Sequence, residues 1–427
     1  MMNPMRIAVI GSGIAGLTAV WVLGREHRVT LFERHPILGM DAHGIDIDHD
    51  GVQARVDVPL RVFYEGYYQT LLKVYRAVGI EIEKVNYASS FSKIDQRPYF
   101  RFDNLLMGPV SFPFMSGLTS LQRPSLRILR DLCRFYLEAP LALKSGSLRG
   151  MTIEMFMKDR GYSHDFAVDF LYTAYAGICT CSLEAVRAYP AEIIIDYMTK
   201  GVLFTGVRRV KLGSRQVVSR LAEKAAEVCC GRNVQGVRRE GERVVVTCEG
   251  EEARFFDHVV FATQANQIAK ILQHMTEDER ETLDRFAYEQ SEVVMHTDPA
   301  LCTPNQRDWS PVNFVTRKGE VSPMATIWMN RVQPELRDTA PIFQTWNPLV
   351  EAREETVLSR SSFERPVVSA ENEIGWRELM RIHDQPGRRV WFCGSYAGFG
   401  IPLLESAAQS AVVVARRLGV LPPWESR

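Results

Sequence analysis

Ile7 to Ile10 form an unbroken apolar run and lead directly into Gly11-Ser12-Gly13-Ile14-Ala15-Gly16. Such a run suits a strand covered on both faces. Leu17 to Leu23 continue as an apolar helix that Gly24 ends, and Arg28 to Phe32 then read as a second strand ending in Glu33. The pattern predicts strand, glycine turn, helix, strand. Further on, Asp50-Gly51 marks a turn between two short strands, and Tyr68, Leu71, Leu72, Tyr75 and Val78 recur at helical spacing until Gly79. From about residue 90 to 200 the chain turns rich in Phe, Leu, Met and Tyr. Helical periodicity runs through Leu126 to Leu137, Ile153 to Lys158 and Phe166 to Tyr175, so this stretch reads as a helical insertion.

Alternation returns with Arg243 to Thr247 after the Glu240-Gly241 turn, and His258 to Ala262 reads as a buried parallel strand. Ser291 to His296, Met324 to Met329 and Ile342 to Thr345 read as strands of a second sheet. Val390 to Cys393 is an apolar strand meeting Gly394, and a helix follows from about Glu405 to Leu418. The two ends of the chain are therefore expected to build one domain. That domain spans 1–90, 205–270 and 375–427, with a substrate domain at 91–204 and 271–374.

Composition removes several alternatives. The 427 residues exceed one compact core. Lys plus Arg balances Asp plus Glu at 51 each, which gives no general attraction to nucleic acid. Ile7 to Gly24 is uncharged, but its glycines fall where a phosphate turn and a helix end need them, so neither a membrane span nor an export signal is expected and the chain reads as cytoplasmic. The eight cysteines lack metal-ligand spacing and read as reduced thiols; no metal is expected.

The chemistry sits in the glycine segments. Gly11 permits the tight turn, Gly13 lets backbone approach a pyrophosphate, and Gly16 lets helix pack on strand. The helix from Ile14 aims its amides and dipole at the anion. Glu33, 22 residues after Gly11, stands where an acid accepts from an adenosine ribose. Arg34 to Gly39-Met40 brings a second turn whose donors can reach the pyrophosphate; an ordinary loop exit is the alternative. The closing segment, from Trp391 through Gly394, Ser395, Pro402 and Leu403 to the helix at Leu404 and Glu405, suits a second ligand-facing helix N-terminus. An amide near Leu404 can stabilise negative charge at the carbonyl end of an isoalloxazine. Two such elements favour non-covalent FAD over NAD.

These end motifs, with Glu33-Arg34, Gly39 and Phe392-Cys393-Gly394, resemble the flavin amine oxidase and phytoene desaturase superfamily. Val56-Asp57, Val62-Phe63, Gly213-Ser214-Arg215, His296-Thr297-Asp298-Pro299 and Trp328-Met329-Asn330-Arg331 are similar to the FAD-dependent oxidoreductases encoded near cyclopropane-fatty-acid synthases. The resemblance implies an α/β fold: a Rossmann-type, glutathione-reductase-like FAD-binding domain with an inserted mixed sheet and helical substrate domain. It implies that Gly11, Ser12, Gly13, Ala15 and Gly16 contact the pyrophosphate, Glu33 the ribose and Val234 the adenine. Gly394, Leu404 and Glu405 would lie along the flavin. Departures at Met40, Asp41, Val58-Pro59, Tyr64 and Ala411 imply a remodelled substrate pocket.

No catalytic triad is legible. Tyr64 or Glu65 can move a proton near the cofactor; a core tyrosine and a helix-capping glutamate are the alternative. His296 is either a base or a hydrogen-bonded strand-end histidine. Tyr396 and Phe399 lie in the cofactor-facing loop as alternative candidates to wall the flavin, and Trp328 is a candidate to face substrate. The aromatic middle either lines a tunnel for a long apolar substrate or is core; the substrate is expected to be a lipophilic small molecule. Leu126 to Leu137, with Arg127, Arg130 and Arg134, is a candidate for peripheral membrane contact. The expected function is an FAD-dependent oxidoreductase, an oxidase, dehydrogenase or desaturase, taking a hydride from a lipophilic or amine-like small molecule. The alternatives are a redox-neutral isomerase or cyclase and a non-catalytic flavin-binding accessory protein.

Overall fold

The computed structural model describes residues 3–107, 110–117 and 121–425. Five parallel strands form the first sheet, in the order Glu227–Cys230, Arg28–Glu33, Arg6–Ile10, His258–Phe261 and Val390–Phe392. Along the opening strand, Ile7 and Val9 join one core with the helices Ile14–Leu23 and Leu404–Arg417. Ala8 and Ile10 join the opposite core with Phe32, Phe256 and Phe261. A three-stranded antiparallel sheet, Val234–Glu240, Arg243–Cys248 and Arg254–Phe256, contributes Val237, Val244 and Val246 to that second core. Burial on both faces explains why these strands read as unbroken apolar runs. The first helix is buried along its whole length, and Ala407, Ala408 and Ala411 of the closing helix share its core.

The second sheet has eight strands, in the order Val357–Pro366, Tyr288–His296, Phe343–Trp346, Met324–Trp328, Val312–Thr316, Ser89–Lys93, Phe100–Met107 and Val110–Met115. Val312–Thr316 pairs in parallel with Ser89–Lys93, and the other neighbours are antiparallel. This corrects the expectation of a helical insertion starting near residue 91. Residues 89–115 supply three strands, and the helices begin at Arg123. Phe100 and Phe102 alternate with Arg101 and Asp103, a period of two that the high aromatic content hides. Val357–Pro366 carries polar residues on both faces, so no apolar rhythm marks it.

Helices Arg123–Ser145, Ile153–Asp159, Thr173–Cys179, Leu183–Ala188 and Ala191–Thr199 roof this sheet, with a π-helical run at Asp165–Tyr172. Local capping sets two starts: Thr152 Oγ1 accepts from the Met155 amide at 3.2 Å, and Ser182 Oγ from the Ala185 amide at 3.0 Å. Phe91 bridges roof and sheet, stacked on Phe314 at 4.9 Å and tilted against Phe170 at 5.1 Å.

Gly66 fixes how the roof meets the first domain. A Cβ there would lie 1.7 Å from the Lys200 carbonyl oxygen, a backbone atom that cannot swing aside. Gly66→Ala is expected to lower the unfolding free energy by about 1–3 kcal/mol in denaturant titration. An unchanged midpoint would contradict this contact.

Candidate functional site

The Gly11–Gly16 turn is built by close approach. Gly11 has φ +100, and its amide donates to the Phe32 carbonyl at 2.9 Å. A Cβ on Gly16 would lie 1.9 Å from the Gly11 oxygen, whereas one on Gly13 would meet nothing within 4 Å. Gly13 is the N-cap of the first helix and offers no side-chain cap, so the first-turn amides stay open. Glu33 is buried behind the turn. Its Oε2 accepts from the Ser12 amide at 3.1 Å and the Ser12 hydroxyl, and its Oε1 from the His35 amide at 2.9 Å. The Gly39 amide donates to Ser12 Oγ at 2.6 Å, tying the second loop to the first.

One cavity of about 440 Å³ collects most of the residues singled out in the sequence. Gly13, Ile14 and Ala15 come from the opening turn, and Gly39 and Met40 from the second loop. Gly394, Ser395, Tyr396, Pro402, Leu403 and Leu404 come from the closing segment, and Tyr64 from the wall between them. Gly11, Ser12, Gly16 and Glu33 support this lining from behind. Arg34 is exposed, and Val234 opens the three-stranded sheet outside the lining.

Several candidates belong elsewhere. Glu405 is buried, and its carboxylate accepts from the amides of Thr70 at 2.8 Å and Leu71 at 2.9 Å. It thereby caps helix Gln69–Ala77, which has no side-chain cap of its own. Glu65 is exposed, 3.1 Å from Arg208, outside the cavity. Phe399 is 42% exposed and packs on Trp376 in a separate cleft. Trp328 lies edge-on to Trp309 beneath the Arg331 guanidinium, also outside the lining. His296 is fully buried away from the cavity. Its Nδ1 accepts from the Asp298 amide at 3.2 Å, so Nε2 carries the proton and donates to Thr345 Oγ1 at 2.7 Å. Burial lowers its pKa to about 4.

Tyr64 faces the cavity but donates its hydroxyl to the Tyr197 carbonyl at 2.6 Å. Desolvation raises its pKa, so the phenol stays protonated. Beyond it the wall is aromatic and aliphatic, with Phe91, Phe102, Phe170 and Phe314. Among the described residues the lining holds no carboxylate, histidine or lysine; its only charges are Arg61 and Arg365. Arg61 immediately precedes Val62-Phe63, and no role is assigned to it from sequence. Arg365 was hidden in the strand that carries no apolar rhythm. A second apolar cavity of about 390 Å³ adjoins and shares Phe102, Phe170 and Leu203 as walls. It lies beneath Leu129 and Leu137 of the long helix, where Arg127, Arg130 and Arg134 pair with Asp165, Asp131 and Glu138.

All eight cysteines are free, and burial pushes the Cys179 thiol up to about 11. Among the described residues no group of His, Cys, Asp and Glu could hold a metal, and no helix is long and apolar enough to cross a membrane.

Residues 9–78 match the NAD(P)-binding Rossmann-like domain, and no curated protein matches the sequence. Solved structures resemble the whole chain. A CLA-producing fatty acid isomerase from P. acnes has a TM-score of 0.68 at 15% identity, covering 97% of this chain and 99% of its own. Cyclohexylamine oxidase from Brevibacterium oxydans IH-35A has 0.62 at 12%, covering 97% and 100%. Putrescine oxidase bound to putrescine has 0.61 at 12%, covering 97% and 99%.

His296 and His258, whose pKa burial also lowers to about 4, tie stability to pH. The unfolded state takes up protons near pH 6.5 and the folded state only near 4, so unfolding free energy falls as pH drops between those values. The loss is up to about 3 kcal/mol per histidine. In denaturant titrations across that range, His296→Gln is expected to flatten the acid limb; an unaltered limb contradicts this.

Proposed function

For a chain with the fold of the flavin amine oxidase and desaturase superfamily, we propose a flavoenzyme that holds FAD non-covalently and oxidises a lipophilic small molecule. The observation that carries this reading is that the N-termini of helices Ile14–Leu23 and Leu404–Arg417 open on the same cavity. One helix N-terminus suits a diphosphate and a second, on the same ligand, suits the electron-rich end of an isoalloxazine. The open space above Gly13 and the uncapped first-turn amides fit the diphosphate. Gly39 and Met40 would flank it, and Gly394, Ser395, Pro402, Leu403 and Leu404 would lie along the ring and its ribityl chain. Glu33 Oε1 accepts a single protein donor in this structure, leaving a lone pair for a ribose hydroxyl. Val234 is assigned to the adenine through its backbone.

FAD bound here supplies an acceptor for a hydride from a carbon–hydrogen bond. The chain's own part is positioning and exclusion of water, because among the described residues its lining offers protonated tyrosines and no general base. Tyr64, fixed by its hydrogen bond to Tyr197, is a wall of that site. Two arginines in the lining oppose a cationic amine, so the lipophilic alternative is favoured over the amine-like one.

A redox-neutral double-bond isomerisation is the second reading. It is favoured by the likeness to a fatty acid isomerase and by the lack of a second Gly-x-Gly-x-x-Gly for a nicotinamide donor. Oxygen or dye consumed in proportion to substrate separates the two.

Anaerobic mixing with fatty acyl, polyene and amine compounds, following flavin absorbance, tests the main reading. Loss of absorbance is expected with an acyl or polyene compound and not with simple amines; protein that stays colourless after incubation with FAD overturns the proposal. Gly13→Asp is expected to keep the wild-type melting temperature while weakening FAD binding by at least about 10-fold, since it sets a carboxylate against the diphosphate. Undiminished flavin content in that variant would count against this placement.

A further inference from the structure

We propose that Arg61 and Arg365 form an anion site inside the cavity and that the substrate is a long-chain carboxylate, its head on the two guanidiniums and its hydrocarbon chain in the aromatic end. The anion site stands on its own geometry; its assignment to a substrate rests on the reading above.

These two arginines are the only charged side chains in the lining among the described residues, and neither has a carboxylate within ion-pair distance. Arg61 Nη1 donates to the Pro59 carbonyl at 3.3 Å. Arg365 Nε donates to Thr180 Oγ1 at 3.0 Å, and its guanidinium lies over Trp346 at 5.7 Å. The carboxylates nearest Arg61 are engaged elsewhere. Asp41 is bound by Arg55 and Arg215, and Asp57 accepts from the Ser214 amide and hydroxyl. Around Arg365 the thiols of Cys179 and Cys181 and the phenol of Tyr189 are neutral, and Glu289, opposite it in the neighbouring strand, is bound by the Ser182 amide and hydroxyl. Burial and mutual repulsion push the Arg365 pKa down, and burial does the same for Arg61. Two like charges held in an apolar enclosure, with no carboxylate in ion-pair contact with either, are unfavourable until an anion arrives. Guanidinium forks match a carboxylate in shape as well as charge.

The rest of the cavity selects what the anion carries. The apolar walls include Phe91, Phe102, Phe170, Phe314 and Leu203. Phe102, Phe170 and Leu203 also bound the adjoining apolar cavity, which continues the path for a hydrocarbon tail. A charged head with an apolar chain complements both ends; a free amino acid or a neutral hydrocarbon complements one.

Titrating the purified protein with dodecanoate and dodecan-1-ol, followed by tryptophan fluorescence, compares head groups on one chain length. Bound flavin is read by absorbance on the same samples. The wild type is expected to bind the carboxylate about 10–100-fold more tightly than the alcohol. Arg61→Met and Arg365→Met are expected to lose most of that preference while alcohol affinity and flavin content stay unchanged. Arg61→Lys and Arg365→Lys, which keep the charge and lose the fork, retain part of it. Equal affinity for the two ligands overturns the proposal. So do variants that lose flavin and keep the carboxylate preference, because the arginines would then serve the cofactor's diphosphate. A colourless wild type that still prefers dodecanoate supports the anion site and defeats the flavin reading alone.

Discussion

Parallel pairing of three strands sets everything else in this molecule. Arg6–Ile10 pairs with His258–Phe261, and that strand with Val390–Phe392, so all three end at one sheet edge. Ile10 stands level with Phe261, and Phe261 with Phe392, which puts the Gly11 turn and Gly394 at the same end of the sheet, on either side of Ala262 and Thr263, although they come from opposite ends of the sequence. A parallel sheet concentrates loops and helix N-termini at the carboxyl ends of its strands. The close contact of Gly16 with the Gly11 carbonyl then fixes the first helix on that edge.

The closing helix is held by a different device. Glu405 places a buried carboxylate on the open amides of helix Gln69–Ala77, which satisfies two backbone donors and sets negative charge at a helix N-terminus. Tyr67 completes the joint, its hydroxyl accepting from the Ile401 amide at 3.0 Å. Leu403 and Leu404 are thus positioned by a side chain that faces away from the cavity they line. Rigid support of this kind, with an aromatic enclosure and, among the described residues, no side-chain base in the lining, suits the proposed reading of a site that would work by placement and dryness.

The glycine turn and the two end segments were legible because local backbone needs dictate residue type: Gly11 and Gly16 admit nothing larger. Continuous apolar runs identified the parallel strands for the same local reason. What stayed hidden depended on distant partners. Glu405 looks like a cofactor residue until its amide partners, some 335 positions away, are known. Glu65 and Trp328 carry no mark in sequence that sends them outward, and nothing in the polar strand Val357–Pro366 announces that Arg365 turns into an apolar chamber. The three strands at 89–115 were missed because aromatic residues suit a helical core and a sheet equally well.

A crystal structure of the protein grown with FAD addresses the central claim most directly. The account predicts the diphosphate on the amides of Gly13, Ile14 and Ala15 and the isoalloxazine against Leu404, with the aromatic chamber over its ring. An isoalloxazine outside that chamber, or a ligand that reaches one helix N-terminus and not the other, would contradict it.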